Sequence, residues 1–368
     1  MREDYALRYL ARVVDWSEGK LTDEVGWLRR MAAYKYDSYQ DFFAGERFIS
    51  ALIRWLTQFD PADRDYAYAL LRDHLVFLSA GEIQHLVRRT VPAHFHPFWL
   101  KRVADALGIA PYEVWGTAAA AAAYKRLVRR SLFIGLSDGA RIDAFRRANV
   151  GVISNEQVVV SYELSQRKLD GLIKDLNKDE GTTTACFEMV FLIDDFLGSG
   201  TTLCQKFEEE WKGKVARFGE AIAARASTSF VPNFQIIAHH YIATEWGMAN
   251  AGRNLQAFTA ATADPFLRGK VITLTADLLL SDKKRFCRGR DPAMDAFLLK
   301  YYDPGVMTES LKKGGCDAQN GFADGGLVVV LDHNTPNNSL AVLWAHTPRL
   351  GGKSHAMQPL FRRRQRHD

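Results

Sequence analysis

The feature that most constrains this chain is a continuously apolar run ending in two aspartates and a glycine-containing loop, "FEMVFLIDDFLGSGTT" at positions 187–202. A strand that is apolar on both sides is typical of a parallel sheet with helices on both faces. Asp194 and Asp195 would then lie at the carboxyl end of the strand, the edge where open α/β sheets bind ligands. The run therefore predicts a central parallel strand with a ligand site at its end.

Strand-like and helical patterns alternate around this run. Two further strand-like runs are "EQVVVSYEL" (156–164) and "FQIIAHHYIA" (234–243). "SLFIGLSDGARIDAFRRAN" (131–149) reads as a strand, a loop and a helix, and the segment 199–222, which begins with "SGTT", reads as a helix. Such alternation predicts an α/β fold with a mostly parallel sheet and helices on both faces.

The chain shows three regions of different pattern. Residues 1–128 follow the three-and-four spacing of helices, as in "FISALIRWLTQF" (48–59) and "DPADRDYAYALLRDHLVFL" (60–78). After about residue 265 the pattern weakens, and "GGLVVVLDHNTPNNSLAVLW" (325–344) reads as two strand-like runs joined by a polar turn. The predicted regions are a helical N-terminal region at 1–128, an α/β core at 129–265 and a C-terminal hood-like region with a basic tail at 266–368.

Composition excludes several classes of protein. The 368 residues are 47% apolar and 25% charged, and no apolar run approaches the roughly 18 to 20 residues that cross a bilayer. The charged start "MREDYALRYLARVVDW" is unlike a secretory signal, and the four cysteines have no CxxC spacing. We therefore expect a cytoplasmic protein without a membrane segment, a disulfide framework or a structural zinc site. The formal charge of +5 permits an anionic ligand without indicating nucleic acid.

The loop after the two aspartates has groups that bind a phosphate. Gly198 and Gly200 allow the backbone to bring successive amides together around an anion, helped by the amino end of a following helix. Ser199, Thr201 and Thr202 add hydroxyl donors. The aspartates accept hydrogen bonds from hydroxyls or hold a divalent cation. The pattern predicts a ligand with a phosphate and vicinal hydroxyls, a ribose 5-phosphate; the alternative is that the aspartates cap a helix and the glycines only turn the chain.

The stretch "VFLIDDFLGSGTT" (190–202) resembles the phosphoribosyl-diphosphate binding motif of type I phosphoribosyltransferases. That motif is an apolar strand, two acids, two apolar residues, a small residue, Thr or Ser, Gly, any residue and Thr. The matching positions are Asp194, Asp195, Ser199, Gly200 and Thr202. The family's usual residues are replaced by Phe196, Gly198 and Thr201, none of which removes a phosphate-binding group.

The earlier segment "LFIGLSDGAR" (132–141) resembles the same family's strand and diphosphate-binding loop. The resemblance implies contacts to the diphosphate leaving group from Ser137, Asp138, Gly139, Ala140 and Arg141. The forked donors of Arg141 suit a phosphate. Asp138 does not suit a diphosphate-binding loop, because a carboxylate repels diphosphate unless Mg²⁺ lies between them. Taken alone, this loop also reads as an ordinary strand-to-helix turn.

The helical front half, the segment 325–344 and the closing "PLFRRRQRH" (359–367) resemble the PRTase-CE group, phosphoribosyltransferase-like proteins of bacterial conflict systems associated with antiviral defence. The resemblance implies a phosphoribosyltransferase-like fold, phosphoribosyl diphosphate or a nucleotide as ligand, and Mg²⁺ as cofactor. It implies that Asp194 and Asp195 are catalytic and bind the ribose hydroxyls, directly or through the metal, and that the partners are proteins of a defence locus. An effector that transfers or hydrolyses the phosphoribosyl group is expected; a non-catalytic sensor that signals to a partner, or a scaffold without a ligand, are the alternatives.

Further candidates lie outside the two loops. Candidate acceptor or cover contacts are Arg167, Lys168, His333, Asn334 and Asn337. The first two lie where the family places a mobile cover, although they also read as exposed helix charges, and "HNTPNN" (333–338) suits base edges as well as an ordinary turn. His239 and His240 are neighbours on a predicted strand, point to opposite faces and are expected to be structural. The basic tail is a candidate for binding nucleic-acid phosphates, or a solvated end.

Overall fold

The computed structural model describes residues 3–162, 164–348 and 356–364. The chain divides into two compact units, the first made of Met1–Ile83 with Ser281–Asp368 and the second of Gln84–Leu280. The three regions predicted from the sequence have other boundaries, and they stay a prediction about domains. No helix in the described part of the chain is long and apolar enough to span a membrane.

The helices and strands of the described residues are numbered here in chain order. The α-helices are α1 (Glu3–Val14), α2 (Glu18–Tyr34), α3 (Phe48–Leu56), α4 (Arg64–His74), α5 (Ala80–Thr90), α6 (His96–Leu107), α7 (Ala118–Arg129), α8 (Ile142–Ala148), α9 (Gln166–Glu180), α10 (Lys214–Ile222), α11 (Ala226–Ser229), α12 (Glu245–Ala261), α13 (Pro292–Tyr301), α14 (Glu309–Lys312) and α15 (Ala341–Trp344). The strands are β1 (Val76–Leu78), β2 (Ser131–Gly135), β3 (Val158–Val159), β4 (Phe187–Leu197), β5 (Gln205–Phe207), β6 (Glu210–Lys212), β7 (Phe230–Thr244), β8 (Ile272–Leu280) and β9 (Val329–Leu331).

The second unit is built on a five-stranded sheet in the order β3-β2-β4-β7-β8. Every neighbouring pair in this sheet is parallel, and the apolar run of β4 lies at its centre. The predicted α/β class with a mostly parallel sheet is therefore confirmed. The edge strand β8 lies beyond residue 265, where the sequence pattern had weakened.

Helices cover both faces of this sheet, as the apolar strands predict. On one face Phe133 and Phe191 pack against Phe95 and Trp99, with ring centroids 4.1 to 6.2 Å apart. The opposite face is aliphatic and shares a buried core with α9, α10 and α12. That core includes Leu132, Ile134, Val190, Leu192, Leu172, Phe218 and Leu255. Burying each large apolar side chain contributes about 1.5–3 kcal/mol, so both sets of helices stabilise the sheet.

The carboxyl edge of the sheet is stepped between β2 and β4. The last residue of β2, Gly135, lies opposite Ile193, whereas β4 continues to Leu197. Asp194 and Asp195 therefore extend past the end of β2 and remain paired with β7 on their other side. The loop that follows β2 begins beside them, because the Leu136 amide still donates to the Ile193 carbonyl oxygen (2.8 Å).

The prediction of one helix at 199–222 is wrong for the first half of this segment. The helix α10 begins only at Lys214, and the antiparallel hairpin β5–β6 precedes it. Apolar residues recur at helical spacing through this segment, which explains the prediction. Gly213 interrupts the pattern, because its φ of 120° is not helical and a Cβ there would lie 2.7 Å from the carbonyl oxygen of Leu203.

The first unit is mainly helical, as predicted for the front of the chain, and two local predictions fail there. The segment 60–78 is helical only to His74, since its end is β1, which pairs in parallel with β9. The second strand-like run of 325–344 is the helix α15. In both cases a short apolar run is compatible with a buried helix or a buried strand, and the tertiary partner decides.

The start of the basic tail is part of the core of the first unit. Leu360 and Phe361 are 1% and 0% exposed, so this part is not a solvated end. The guanidinium of Arg363 lies 5.8 Å from the ring centroid of Trp344. The remaining tail residues, 365–368, lie outside the described residues.

Candidate functional site

The loop at residues 198–202 packs tightly on the first turn of α12. Thr244 donates its hydroxyl to the Gly198 carbonyl oxygen (2.7 Å) and accepts the Gly247 amide (2.8 Å). Gly200 has a φ of 81°, in the left-handed region that glycine adopts without strain. A Cβ at Gly200 would lie 2.6 Å from the Gly247 carbonyl oxygen, and a Cβ at Gly247 would lie 2.0 Å from that of Gly198. The three glycines thus set the position of the loop.

The amides of this loop have few acceptors within the chain. Among the described residues, the N–H groups of Ser199, Gly200 and Thr202 have no hydrogen-bond partner, and that of Thr201 lies 3.5 Å from the Ser199 hydroxyl. Ser199 and Gly200 are buried. Because buried amides are nearly always paired in folded proteins, the amides of Ser199 and Gly200 are suited to an anion, and the exposed Thr202 amide is accessible to the same ligand.

Asp194 is a buried carboxylate held by two donors from other segments. It is 3% exposed. Its Oδ1 accepts the hydroxyl of Ser137 from the loop after β2, and its Oδ2 accepts the ammonium of Lys214 from α10. The pKa of Asp194 is raised chiefly because the carboxyl is buried, with Lys214 opposing the shift and Asp195 adding to it. Both oxygens of the first acid are therefore engaged.

Asp195 is half-buried and lies against the same loop. Its Oδ1 accepts the Phe196 amide (2.9 Å). A Cβ at Gly139 would lie only 2.2 Å from Asp195 Oδ2, so this position of the loop admits no side chain without a shift. The predicted acids and the predicted diphosphate loop thus come together in the structure.

The loop at residues 137–141 is fixed on its inner side. Tyr241 on β7 donates its hydroxyl to the Ala140 carbonyl oxygen (2.9 Å), and burial raises its pKa well above the usual value. Arg141 has a φ of 45°, a conformation uncommon for residues other than glycine and enriched at functional sites. Asp138 is exposed to solvent. Tyr241 was missed in the sequence, because only the register of β7 brings it to this loop.

Lys214 is a second residue that sequence reasoning missed. It is the first residue of α10, and its amide donates to the Thr202 carbonyl oxygen (3.1 Å). Its ammonium reaches back to Asp194, so one residue links the phosphate-type loop to the first acid. From the sequence, a lysine at this position would be taken for a solvent-exposed charge. It belongs to the site only because the hairpin brings the chain back to the loop at 198–202.

His240 lies opposite Asp194 in the pairing of β4 with β7. It is 1% exposed, and its Nδ1 has no hydrogen-bond partner among the described residues. Burial, assisted by the charge of Lys214, lowers its pKa to about 3. His240 is therefore neutral at physiological pH, and Lys214 is the cation beside Asp194.

The match to a family covers these segments and most of the remaining chain. The PRTase-CE family model matches residues 52–363. The chain belongs to the PRTase-CE family. No curated protein and no solved structure matches it. The resemblance stated from the sequence is confirmed, and both loops of this PRTase-CE chain lie within the matched residues.

Two histidines of this PRTase-CE protein are expected to make its stability depend on pH. Burial lowers the pKa of His239, as it does that of His240. A histidine that titrates near 6.5 when unfolded then binds fewer protons in the folded state, so the free energy of unfolding falls as the pH falls below that value. For His240, whose pKa falls to about 3, the expected cost between pH 6.5 and 5.5 is about 1 kcal/mol.

The raised pKa of Asp194 has the opposite effect, because it makes the folded state more stable as the pH falls. The histidine effect is therefore measured as a difference between the native chain and a histidine variant. Urea unfolding of His240→Gln is expected to show a weaker loss of stability between these pH values than the native chain. The exposed His85 provides the control, and His85→Gln should keep the native dependence. Equal pH dependence in all three proteins would refute the assignment.

His239 belongs to a different buried cluster of the PRTase-CE fold. Its Nε2 lies 3.0 Å from Asp277 Oδ2, which also accepts the Thr90 hydroxyl (2.7 Å). Asp277 Oδ1 is 3.1 Å from Arg89 Nε and 3.0 Å from His94 Nε2. These contacts fix the end of α5 and the π-helical segment Val91–Phe95 after it on β8. His239 and His240 do lie on opposite faces of β7, as expected.

The other candidate residues are not brought into the described contacts of the two loops. Arg167 and Lys168 are exposed in the first turn of α9. His333, Asn334 and Asn337 belong to the first unit. There, His333 Nδ1 lies 3.1 Å from Asp332 Oδ1, Asn334 Oδ1 accepts the amides of Thr335 and Arg364, and the Asn337 carbonyl oxygen accepts the Phe322 amide. Their role as cover or acceptor contacts stays a prediction.

A Mg²⁺ ion bound directly to Asp194 does not fit this arrangement. Both oxygens of that carboxylate already accept a hydroxyl and an ammonium, whereas Mg²⁺ requires free oxygen ligands in octahedral geometry. The described residues of this PRTase-CE chain contain no group of three or more His, Cys, Asp or Glu side chains that could hold a metal. The Mg²⁺ implied by the resemblance stays a prediction.

Proposed function

We propose that this chain binds phosphoribosyl diphosphate or a related nucleotide and transfers or hydrolyses the phosphoribosyl group. The observation that carries the proposal is that, within the described part of the chain, the amides of Ser199, Gly200 and Thr202 have no hydrogen-bond partner, in the loop that follows Asp194 and Asp195. One ligand with a phosphate and vicinal hydroxyls would satisfy both groups. Membership of a phosphoribosyltransferase-like family supports the same ligand class.

The 5-phosphate is assigned to the loop at 198–202. Its amides and the hydroxyls of Ser199, Thr201 and Thr202 are donors, and hydrogen bonds to a charged oxygen are stronger than those between neutral groups. The packing of this loop on α12 fixes the donors before the ligand arrives. Such preorganisation reduces the entropy lost on binding.

The ribose is assigned to the two acids, and the diphosphate to the loop at 137–141. Each carboxylate oxygen has two lone pairs, so the acids accept hydrogen bonds from the ribose hydroxyls in addition to their contacts with Ser137, Lys214 and the Phe196 amide, and their charge stabilises positive charge that develops at the anomeric carbon. The Ser137 hydroxyl and the Gly139 backbone lie beside these carboxylates, so the leaving group would meet the amides of this loop and the guanidinium of Arg141. Positioning of the reacting groups, rather than proton transfer, is the main contribution proposed for the chain.

The proposed reaction breaks the bond between the anomeric carbon and the diphosphate oxygen. Diphosphate leaves with the bonding electron pair, and an acceptor nitrogen or a water oxygen forms the new bond to the same carbon. With water, the products are ribose 5-phosphate, diphosphate and a proton. With a base nitrogen, the products are a nucleotide, diphosphate and the proton that the nitrogen loses.

The biological setting is proposed from the family resemblance. We propose an effector of a bacterial antiviral defence system that works with partner proteins of the same locus. A basic tail that begins in the core of the first unit and continues to residues 365–368 is the proposed contact for nucleic acid, should the acceptor be one. These proposals extend the family membership, which by itself supports a phosphoribosyltransferase-like core.

One observation favours a second function, a non-catalytic sensor of the same ligand. Asp138 places an exposed carboxylate in the loop assigned to diphosphate. A carboxylate there opposes a second negative group, which weakens the stabilisation of a leaving diphosphate. A sensor needs only the phosphate loop and the ribose contacts.

The test compares catalysis and binding in the same preparations. Diphosphate release from phosphoribosyl diphosphate with Mg²⁺, and calorimetric binding, would be measured for the native chain and for the Asp194→Asn, Asp195→Asn double variant. The exposed Asp143, which pairs with Arg147, provides the matched control Asp143→Asn. Release that is lost only in the double variant supports the enzyme, and binding without release supports the sensor. No binding by the folded native chain would reject both.

A further inference from the structure

The first acid of the site has a cationic partner that the phosphoribosyl-diphosphate motif does not contain. Asp194 is buried, and the ammonium of Lys214 contacts its Oδ2 while the Ser137 hydroxyl contacts Oδ1. A buried carboxylate is costly without a counter-ion, because water no longer stabilises its charge. Lys214 therefore neutralises Asp194 within the chain itself.

The backbone holds Lys214 in this position. Its amide donates to the Thr202 carbonyl oxygen (3.1 Å), and the next amide, of Val215, donates to that of Leu203 (3.0 Å). Gly213 makes the turn with a φ of 120°, and its Cβ position lies within 3 Å of Leu203 and Cys204 backbone atoms. The β5–β6 hairpin thus returns the chain to the phosphate loop and delivers a lysine there.

The residue paired with Asp194 on β7 is not the source of the positive charge beside this carboxylate. His240, opposite on β7, is buried, and its Nδ1 has no hydrogen-bond partner among the described residues. The second acid, Asp195, packs against Gly139 on the loop after β2. The ammonium of Lys214, with its side chain only 19% exposed, is thus the positive charge in direct contact with the first acid.

We propose that Lys214 is a built-in cation of the ligand site, which takes the place beside Asp194 that a divalent metal would occupy. The ribose 5-phosphate part of the ligand then binds without a metal at this carboxylate. The inference rests on the proposed function of the same site and adds to it the counter-charge of the first acid. A metal that accompanies a diphosphate group is a separate requirement of that group.

The experiment measures the binding of ribose 5-phosphate by calorimetry, once in EDTA and once in Mg²⁺. Ribose 5-phosphate is the probe because it lacks the diphosphate, which binds Mg²⁺ by itself. The native chain is expected to bind with affinities that differ by less than about twofold between the two conditions. An increase of about tenfold or more on adding Mg²⁺ would overturn the inference.

Variants of Lys214 give the second arm. Lys214→Met keeps the length of the side chain without its charge and is expected to weaken binding in EDTA by about tenfold or more. Lys214→Arg keeps a cation and is expected to retain most of the affinity. Lys206→Met is the matched control, since Lys206 lies on the same hairpin, is 48% exposed and pairs with Glu209.

Each outcome separates the inference from the function on which it rests. Lys214→Met binding as tightly as the native chain in EDTA would refute the role of the lysine while leaving the ribose-phosphate site intact. If circular dichroism shows that Lys214→Met does not fold, the native comparison and Lys214→Arg still decide. No binding of the probe in either condition would reject the proposed ligand class, and the inference with it.

Discussion

Gly247→Ala is expected to weaken the binding of ribose 5-phosphate by about a hundredfold. The new Cβ would lie 2.0 Å from the Gly198 carbonyl oxygen, and backbone atoms cannot move aside as a flexible side chain does. The phosphate loop is expected to shift by about 1 Å, and displacements of that size cost about two orders of magnitude where geometry is preset. Calorimetry with the folded variant measures this loss directly.

A matched control lies on the same helix. Gly252 is also in α12, and a Cβ there would meet only the Leu274 Cδ1 atom, at 3.9 Å. Gly252→Ala is therefore expected to keep the affinity and to stabilise the helix by about 0.5–1 kcal/mol, because alanine loses less backbone freedom on folding. If Gly247→Ala binds as Gly252→Ala does, the loop does not depend on α12 for its position.

Asp277→Asn is expected to lower the free energy of unfolding by about 3 kcal/mol. The carboxylate is fully buried: its Oδ2 is hydrogen-bonded to Thr90 (2.7 Å) and His239 (3.0 Å), and its Oδ1 lies 3.1 Å from Arg89 Nε and 3.0 Å from His94 Nε2 without a hydrogen bond of good geometry. Asparagine presents an NH₂ group to one pair of donors and removes the negative charge from the arginine. Urea unfolding followed by circular dichroism measures the change.

The control for this substitution is an exposed carboxylate in the same unit. Asp143 pairs with Arg147 across one helical turn, with both side chains more than half exposed. Exposed pairs of this kind contribute about 0.3–0.5 kcal/mol, so Asp143→Asn is expected to change stability little. A loss below about 1 kcal/mol for Asp277→Asn would mean that the cluster relaxes to satisfy its donors without the carboxylate.

The parts of the fold that could be predicted from the sequence are those with a local signal. The centre of the sheet follows from the unbroken apolar run of β4, and the loop after it from its glycines. The edge strand β8 has only intermediate burial along most of its length, and its sequence ITLTADLLL is interrupted by polar residues, so it gives no continuous apolar run. β1 and α15 are short apolar segments whose type depends on their partners.

The site divides in the same way. Asp194, Asp195 and the loop residues are contiguous in sequence, and the structure brings the loop after β2 to them through Ser137 and Gly139. Tyr241 and His240 reach the site through the register of β7 with β4, which no local pattern encodes. Lys214 reaches the site because the β5–β6 hairpin precedes it. The apolar residues of this hairpin recur at helical spacing, so the sequence predicted a helix there.

The division of the chain also has a consequence for synthesis on the ribosome. The unit that contains both loops is one uninterrupted segment, Gln84–Leu280, whereas the other is assembled from the two ends of the chain. In the first unit, strand β1 pairs with β9, and β9 is synthesised only after the residues of the second unit. This pairing therefore cannot form early. Domains generally fold as units in the order of their synthesis, so the phosphate loop and its acids are expected to be formed while the first unit is still incomplete. A nascent chain whose residues up to Leu280 have left the ribosome would then already present the ligand site.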